Sequence, residues 1–142
     1  DLTERQFRNI FKKASNTKGD TSQILIELLE RRLDATVYRM KFVPTIFAAR
    51  QLVNHGHVKV NGQRVNIPSF SVSDGDEISI KDKSKEINLI VESISSQERE
   101  IPEYLEVDVK ELKGRFLRAP LIHDVPYPVT MEPNLVIEFY SR

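Results

Sequence analysis

Cysteine is absent from the 142 residues of this chain, which excludes disulfides and thiolate metal sites and fits a reducing compartment. No apolar run approaches the ~18 residues that indicate a membrane-spanning helix. The chain does not open with the charged and then apolar segment of a secretory signal. It begins at Asp1 and not at Met, so we expect a processed chain or a fragment.

A net charge is also lacking, because 21 basic residues balance 21 acidic ones. The balance hides a split along the chain. Residues 1–64 carry 12 Lys and Arg against 6 Asp and Glu, whereas residues 65–142 carry 9 against 15. Charges further apart than a Debye length (~8 Å in physiological salt) are largely screened, so a cationic half can act on its own partner. A coincidental division between two solvated faces is the alternative.

What the chain does have is enough material for a core: 39% of its residues are hydrophobic. Its length suits one domain or two small ones. The most informative stretch runs from Val58 to Val65 and predicts a tight β-hairpin. Asn61-Gly62 supplies the two positive-φ residues that a two-residue turn of type I′ demands. Lys59, Gln63 and Arg64 alternate with valines, which places cations on the exposed side of the hairpin.

Helical patterns precede the hairpin. Thr3 to Ala14 has an apolar stripe at helical spacing, and a second helix begins near Asp20 or Thr21. A third is expected from about Leu33 to Lys41, with Asp34 as a candidate cap. Thr45 caps a further helix from Ile46 to Asn54, and Gly56 lies where a C′ residue belongs.

Strand patterns follow the hairpin. Alternation predicts a strand at Glu77 to Ile80, and further strands are expected at Ile87 to Val91, Tyr104 to Val107, Gly114 to Leu117 and Leu135 to Tyr140. A short helix is expected within Ser93 to Glu103. The fold class is therefore α+β: an N-terminal all-helical part, then helices and a hairpin leading into a small, mostly antiparallel sheet.

Catalytic signatures are missing. The sequence contains no P-loop, no G-x-G-x-x-G motif and no G-x-S-x-G elbow. His55 and His57 flank Gly56, but nothing nearby supplies a third metal ligand. A contact with phosphate or base, or a favourable charge at a helix C-terminus, is the better interpretation. We expect neither a metal nor a cofactor, and no catalytic residue.

Basic residues are concentrated in the helices and the hairpin, on a surface suited to a phosphate backbone. Arg offers a planar donor fork to phosphate oxygens, and Lys a mobile point charge. Double-stranded RNA is met mainly through its backbone and 2′-hydroxyls, so this cluster predicts RNA binding. The competing interpretation is that Arg32 or Arg39 pairs with a carboxylate on the same surface.

The same residues carry a family resemblance. The chain resembles the S-four RNA-binding module and, over nearly its whole length, the bacterial small-subunit (30S) ribosomal protein S-four family. The segments that carry the resemblance are Glu4–Asn9, Arg32–Asp34, Val37–Met40, Ala49–Val53, His55–Gly62, Val65–Pro68, Tyr104–Asp108, Gly114–Phe116 and Leu135–Arg142. The family's extra N-terminal segment is missing, so the chain looks N-terminally truncated.

The resemblance implies a non-enzymatic structural constituent of the small subunit that binds its 16S-type rRNA directly, nucleates assembly and supports translational accuracy. The implied partners are this rRNA, neighbouring small-subunit proteins and mRNA near the channel through which it enters; no membrane and no small-molecule substrate is expected. The location is the ribosome in the cytoplasm, with an organellar ribosome also open. The expected division is a helical domain at 1–30, completed by 134–142, and the RNA-binding module with its sheet at 31–133.

The RNA-binding residues are expected in two groups. The module's RNA face carries over to Arg32, Arg39, Lys41, Arg50, Gln51, His55, Lys59, Asn61, Gln63 and Arg64, and His57 joins them as a candidate phosphate contact. The basic helical part contributes Arg5, Arg8, Lys12, Lys13 and Lys18.

One departure is visible at Ile46 and Phe47, where many members of the family have a charged pair. A cation is lost at Ile46, and Phe47 is left for packing or a protein neighbour. Two other functions would use the same module: a fragment of an RNA-modifying or tRNA-charging enzyme, and a free-standing RNA binder. The 78 residues after the hairpin are too few for a catalytic domain, and the terminal segments argue against the free-standing binder.

Overall fold

The computed structural model of the protein describes residues 5–6, 8–9, 21–95 and 99–125. From residue 21 onwards the helices within these ranges are α1 (Thr21–Glu30), α2 (Leu33–Arg39), α3 (Ile46–Asn54) and α4 (Asn88–Ser95). The strands are β1 (Val58–Val60), β2 (Gln63–Arg64), β3 (Glu77–Ile80), β4 (Leu105–Asp108) and β5 (Lys113–Phe116). Single 3-10 turns form at Asp82–Ser84 and Ile122–Asp124. The predicted α+β class, with a small antiparallel sheet, is confirmed.

The helix α2 begins without the expected cap. Arg32 occupies the N-cap position in extended conformation and makes no side-chain cap hydrogen bond, so the prediction that Asp34 caps this helix is wrong. Asp34 lies in the first turn, where its carboxylate accepts from the amide of Ala35 (2.7 Å). The helix also ends at Arg39, earlier than predicted. Lys41 follows with φ +71°, a left-handed residue that turns the chain out of the helix.

The helix α3 has the predicted bounds because its end signals are local. The hydroxyl of Thr45 accepts from the amide of Ala48 (3.0 Å), and Gly56 adopts φ +79° just beyond the last turn. Glycine adopts such a left-handed conformation at the lowest cost, because it has no Cβ atom. The chain is thereby directed into β1 two residues later.

The hairpin joins a five-stranded antiparallel sheet of order β2-β1-β3-β5-β4. Its turn residues Asn61 and Gly62 have φ +51° and +83°, as the predicted type I′ turn requires. The register opposes Lys59 to Arg64 on one side and to Ser79 on the other. The predicted strands at 77–80, 104–107 and 114–117 are confirmed within one residue at each end.

The prediction of a strand at Ile87 to Val91 is wrong, because this segment enters α4. Ile90 and Ser93 face inward, whereas Leu89 and Val91 are exposed, which is a helical burial pattern. The hydroxyl of Ser93 donates to the carbonyl of Lys41 (2.9 Å) and fixes the helix against the end of α2. The helix expected within 93–103 is thus displaced towards the N-terminus.

One core lies between the helices and the inner face of the sheet. Val58, Val60, Ile78 and Ile80 alternate inward from the two central strands. The helices supply further residues of the same cluster, among them Ile26, Val37, Phe42, Ala49 and Val53. Since Ile26 belongs to α1, this helix packs into the core of the module. The proposed boundary after residue 30 stays a prediction.

The opposite face of the sheet, which we call the outer face, carries Lys59, Ser79 and their neighbours. In the part of the chain described above, no helix is long and apolar enough to cross a membrane. The strand expected at 135–140 and the return of residues 134–142 to the helical part lie outside the described residues, as does most of the first predicted helix. Arg5, Gln6, Arg8 and Asn9 of that helix are helical and exposed.

Candidate nucleic-acid interface

The hairpin presents two cations side by side. Lys59 on β1 and Arg64 on β2 are directly opposite each other, so their side chains leave the same face of the sheet. Arg64 is exposed and Lys59 half-buried. Neither makes an ion pair with any residue that the structure describes. We call Lys59 and Arg64 the hairpin patch; it places two positive charges side by side.

Arg64 is held against the end of α3. A Cβ atom added at Gly56 would lie 3.2 Å from both Cζ and Nε of Arg64. The guanidinium therefore packs over the glycine that closes the helix, where the free carbonyls carry partial negative charge. This contact restricts the arginine before any ligand arrives. The absence of a side chain at Gly56 is what leaves room for it.

Asn61 and Gln63 have different roles in the hairpin. The Asn61 side chain donates to Asp76 (2.9 Å) and accepts from the amide of Glu77 (2.9 Å). These two bonds tie the turn to β3, so Asn61 orients the hairpin. Gln63 is exposed beside Arg64 and is available to a ligand.

Behind the hairpin, a buried carboxylate joins two arginines. Asp34 accepts two hydrogen bonds of 3.1 Å from Arg32 and one of 3.3 Å from Arg50. Its side chain is 1% exposed, and those of Arg32 and Arg50 are 11% and 12% exposed. We call these residues the Asp34 triad. Two cations and one anion leave a net charge of +1 near the surface when the carboxyl is ionised.

Burial governs the protonation of this triad. Burial raises the pKa of the Asp34 carboxyl, while the hydrogen bonds and charge of Arg32 and the amide of Ala35 oppose that rise. Burial likewise lowers the pKa of the Arg50 guanidinium, although an arginine remains charged at any physiological pH. The structure contains the competing arrangement, in which Arg32 pairs with a carboxylate, here that of Asp34. Arg50 of the next helix pairs with the same carboxylate.

Arg39 does not lie on the surface. Its Nε donates to Glu30 (2.9 Å), and the side chains are 5% and 0% exposed. The hydroxyl of Tyr104 also donates to Glu30 (3.4 Å). Arg39 was expected on the RNA face from its spacing of seven from Arg32, but its guanidinium joins α2 to α1 in the interior. It has no place in the proposed interface of the folded chain.

His55 and His57 lie just before β1, at one end of the candidate interface. Their ring centroids are 6.3 Å apart. His55 is exposed, whereas His57 is half-buried and its Nδ1 lies 2.6 Å from the hydroxyl oxygen of Ser84. Burial lowers the pKa of His57, and the nearby charges of His55 and Lys81 lower it further. The lowered pKa favours the neutral form of His57, and its bond to Ser84 orients the segment after β3. Within the described ranges, no three side chains are grouped to hold a metal ion.

The remaining expected residues are more dispersed. Gln51 is exposed on α3, and Lys41 is half-buried at the end of α2. Ile46 is 4% exposed and Phe47 48% exposed, so the apolar pair splits between the core and the surface. Arg5 and Arg8 are exposed on helical backbone. Lys12, Lys13 and Lys18 lie outside the described residues.

Comparison with known proteins connects this geometry to a family. A family model described as the S4 domain matches residues 31–78, the stretch that contains the Asp34 triad and the hairpin patch. Small ribosomal subunit protein uS4 of Jannaschia sp. is 58% identical over all 142 residues, which cover 69% of that protein. The same-named proteins of Ruegeria sp. and Paramagnetospirillum magneticum are each 61% identical with the same coverage. The chain belongs to the uS4 family.

Membership of the uS4 family confirms the resemblance found in the sequence. These relatives match the hairpin and its helices together with the segments after them, over the full 142 residues. That extent disfavours both an enzyme fragment and a free-standing binder that share only the module. The uS4 relatives are named as proteins of the small ribosomal subunit, a structural family, which confirms the prediction of a structural, non-enzymatic protein.

Sequence reasoning missed one basic segment that the fold brings beside the start of β1. Lys81 and Lys83 follow β3 and lie beyond the residues that the S4 domain matches. A signal was present: alternation in β3 puts Ile78 and Ile80 inside, so Lys81 continues the outward set. The bond between His57 and Ser84, which brings this segment beside the hairpin, joins residues too far apart in sequence to be expected.

Proposed function

We propose that this chain is a structural constituent of the small ribosomal subunit and binds the rRNA of that subunit through the hairpin patch and the adjacent end of α3. The observation that carries the proposal is a pair of adjacent cations, exposed Arg64 and half-buried Lys59, that make no ion pair with a described residue and lie on a hairpin tied to β3. As in its bacterial relatives, its location is the ribosome, and hence the cytoplasm.

The chemistry of the patch suits a folded RNA backbone. The two cations are held on antiparallel strands, and Arg64 is further fixed by Gly56. Phosphate contacts provide affinity and position, and A-form RNA is recognised mainly by shape and backbone. A preordered patch loses little conformational entropy when it meets such a shape. No reaction is required of any residue.

The Asp34 triad supports the patch from behind. Its guanidiniums direct little surface to solvent, so Arg32 and Arg50 act in the proposal through their net charge and by fixing α3 to α2. His55, Gln51 and Gln63 supply exposed polar groups around the patch. We propose that Lys41, His57 and Asn61 make at most peripheral contacts with the RNA, and that Arg39 makes none.

A second RNA contact is proposed for the helical part, through Arg5, Arg8, Lys12, Lys13 and Lys18. From the family resemblance we further propose that the protein binds early, nucleates assembly and supports translational accuracy near the channel through which mRNA enters. The exposure of Phe47 favours contact with a neighbouring small-subunit protein over packing within the chain. No small-molecule substrate belongs to this proposal.

The direct test is a titration of small-subunit rRNA with the full chain across a range of salt concentrations. Removal of one phosphate-binding cation should reduce the slope of log affinity against log salt by about one. We expect a reduction of about two for the double variant Lys59→Gln/Arg64→Gln. The matched control is Lys110→Gln/Lys113→Gln at the opposite edge of the sheet, which also removes two charges. Equal slopes for the wild type and the hairpin variant would reject the patch as the RNA contact.

A further inference from the structure

The outer face of the sheet continues the hairpin patch towards β3. Lys59 is opposite Arg64 on one side and Ser79 on the other. The pairing extends beyond β3, because the amide of Lys81 donates to the carbonyl of His57 (2.8 Å). Lys81 is extended, at φ −55° and ψ 136°. Since side chains alternate along a strand, Lys81 leaves the sheet on the same side as Lys59.

The chain then turns beside this face. The 3-10 turn Asp82–Ser84 is anchored by Ser84, which is 3% exposed and lies 2.6 Å from Nδ1 of His57. The anchor sets the position of Lys83, which is exposed. The turn is therefore anchored to the start of β1, and Lys83 is an exposed residue of this anchored turn.

The charges of this segment are only partly balanced. Lys85 pairs with Asp82 (3.0 Å), and the charge of Lys59 also helps to lower the pKa of Asp82, after the larger effect of Lys85. Lys59 and the turn are thus close enough to interact. Lys81 and Lys83 make no ion pair with the residues placed in the structure.

The other end of the outer face provides a contrast. Glu106 is opposite Arg115 and Asp108 is opposite Lys113 across β4 and β5, and Arg115 also lies 3.5 Å from Glu77. Arg115 and Lys113 are thus each opposite an acidic residue in the register. The outer face is therefore divided into a cationic part at β2, β1 and the turn, and a charge-balanced part at β5 and β4.

We propose that Lys81 and Lys83 form a second phosphate-contact patch, which we call the turn patch, continuous with the hairpin patch and occupied by the same small-subunit rRNA. The proposal rests on the proposed function and extends the RNA surface beyond residues 31–78. Its support is continuity: Arg64, Lys59 and Lys81 leave the same side of the sheet, and Lys83 is exposed two residues further on in the turn. A phosphate backbone needs a track of such charges. Lysines suit this track, because an ammonium is a mobile point charge that tolerates variation in the backbone position.

The first test adds Lys81→Gln/Lys83→Gln to the salt titration of the full chain. We expect its slope to fall by about two, as for the hairpin double variant, whereas the slope of the Lys110→Gln/Lys113→Gln control stays at the wild-type value. A fall for the hairpin variant without a fall for the turn variant would overturn the turn patch and leave the proposed function standing. If neither variant changes the slope, both proposals fail.

The second test uses the absence of cysteine. A single Lys83→Cys substitution gives one attachment point for a tethered iron chelate that generates hydroxyl radicals, and Lys110→Cys gives the matched control. After assembly with small-subunit rRNA, cleavage from position 83 should be several-fold stronger than from position 110. It should also map next to nucleotides cleaved from Arg64→Cys. Cleavage from 83 no stronger than from 110 would overturn the proposal.

Discussion

Arg50 on α3 reaches across to Asp34 on α2, with 3.3 Å between Nε and Oδ2. The carboxylate is buried and already accepts two hydrogen bonds from Arg32. Two helices of the module are thus locked together by a charge pair in a site from which water is largely excluded. A basic residue that sequence suggests as an RNA contact here also fixes the scaffold.

Replacement of Asp34 should markedly reduce the free energy of unfolding. Asp34→Ala leaves Arg32 and Arg50 without their shared buried partner, and breaking such a pair from one side costs about 3–5 kcal/mol. Urea denaturation would measure the loss in the free energy of unfolding. Asp74→Ala is the matched control, since its pair with Arg31 is exposed on the carboxylate side and should contribute less than about 1 kcal/mol. Equal losses for the two variants would contradict the structural role of the triad.

Variants of Arg39 test whether this residue acts in the protein interior or in RNA binding. Replacement of the pair by the double variant Glu30→Leu/Arg39→Met should cost far less stability than Arg39→Met alone, because a lone buried charge is worse than an apolar pair. The double variant should bind small-subunit rRNA with the salt dependence of the wild type. A slope reduced by about one would return Arg39 to the RNA face.

Gly56 couples backbone geometry to the hairpin patch. Gly56→Ala should destabilise the fold by about 1–2 kcal/mol, because an L-residue is disfavoured in the left-handed region. The new methyl group would also press on the Arg64 guanidinium and weaken rRNA binding. Gly75→Ala is the control, as Gly75 has φ +89° with open space around its missing Cβ. It should lose stability to a similar extent while rRNA affinity stays unchanged; equal losses of affinity would contradict the Gly56–Arg64 contact.

His57 should make the fold sensitive to acid. Its pKa is lower in the folded chain than the ordinary value of 6.5, so the unfolded chain binds the proton more tightly. Its contribution to stability is present above about pH 6.5 and is lost as pH falls through the folded pKa. The groups that face it are His55, Lys81 and the Ser84 hydroxyl. The free energy of unfolding should decline less in His57→Gln than in the wild type between about pH 7.5 and 5.5. Identical pH profiles would contradict the lowered pKa.

The elements with local signals could be predicted from sequence. Thr45, Gly56 and Asn61-Gly62 each specify a backbone conformation within a few residues, and α3 and the hairpin form where those signals place them. The Ile87 to Val91 segment has no such signal. A short apolar run is compatible with a strand or a helix. The helical conformation of α4 is selected by its packing against the end of α2.

The cations of the site show the same limit. Spacing places Arg32 and Arg39 on one side of a helix, but it contains no information on which carboxylates from other elements approach them. Glu30 of α1 contacts Arg39 of α2, and Asp34 of α2 contacts Arg50 of α3. Both contacts depend on how these helices pack against each other. The sequence shows which residues are basic, but only the tertiary fold determines which of them are exposed to a ligand.

The strand β2 has a sheet neighbour on one side only within the described part of the chain, and it is two residues long. An open sheet edge is a template on which another polypeptide can align, and short length and positive charge are among the ways in which proteins block this. We therefore expect the charge of Arg64 to disfavour self-association of the protein when it is not bound to RNA. Substitution of Arg64 by an apolar residue should produce fibrils or precipitate in addition to a weaker binder.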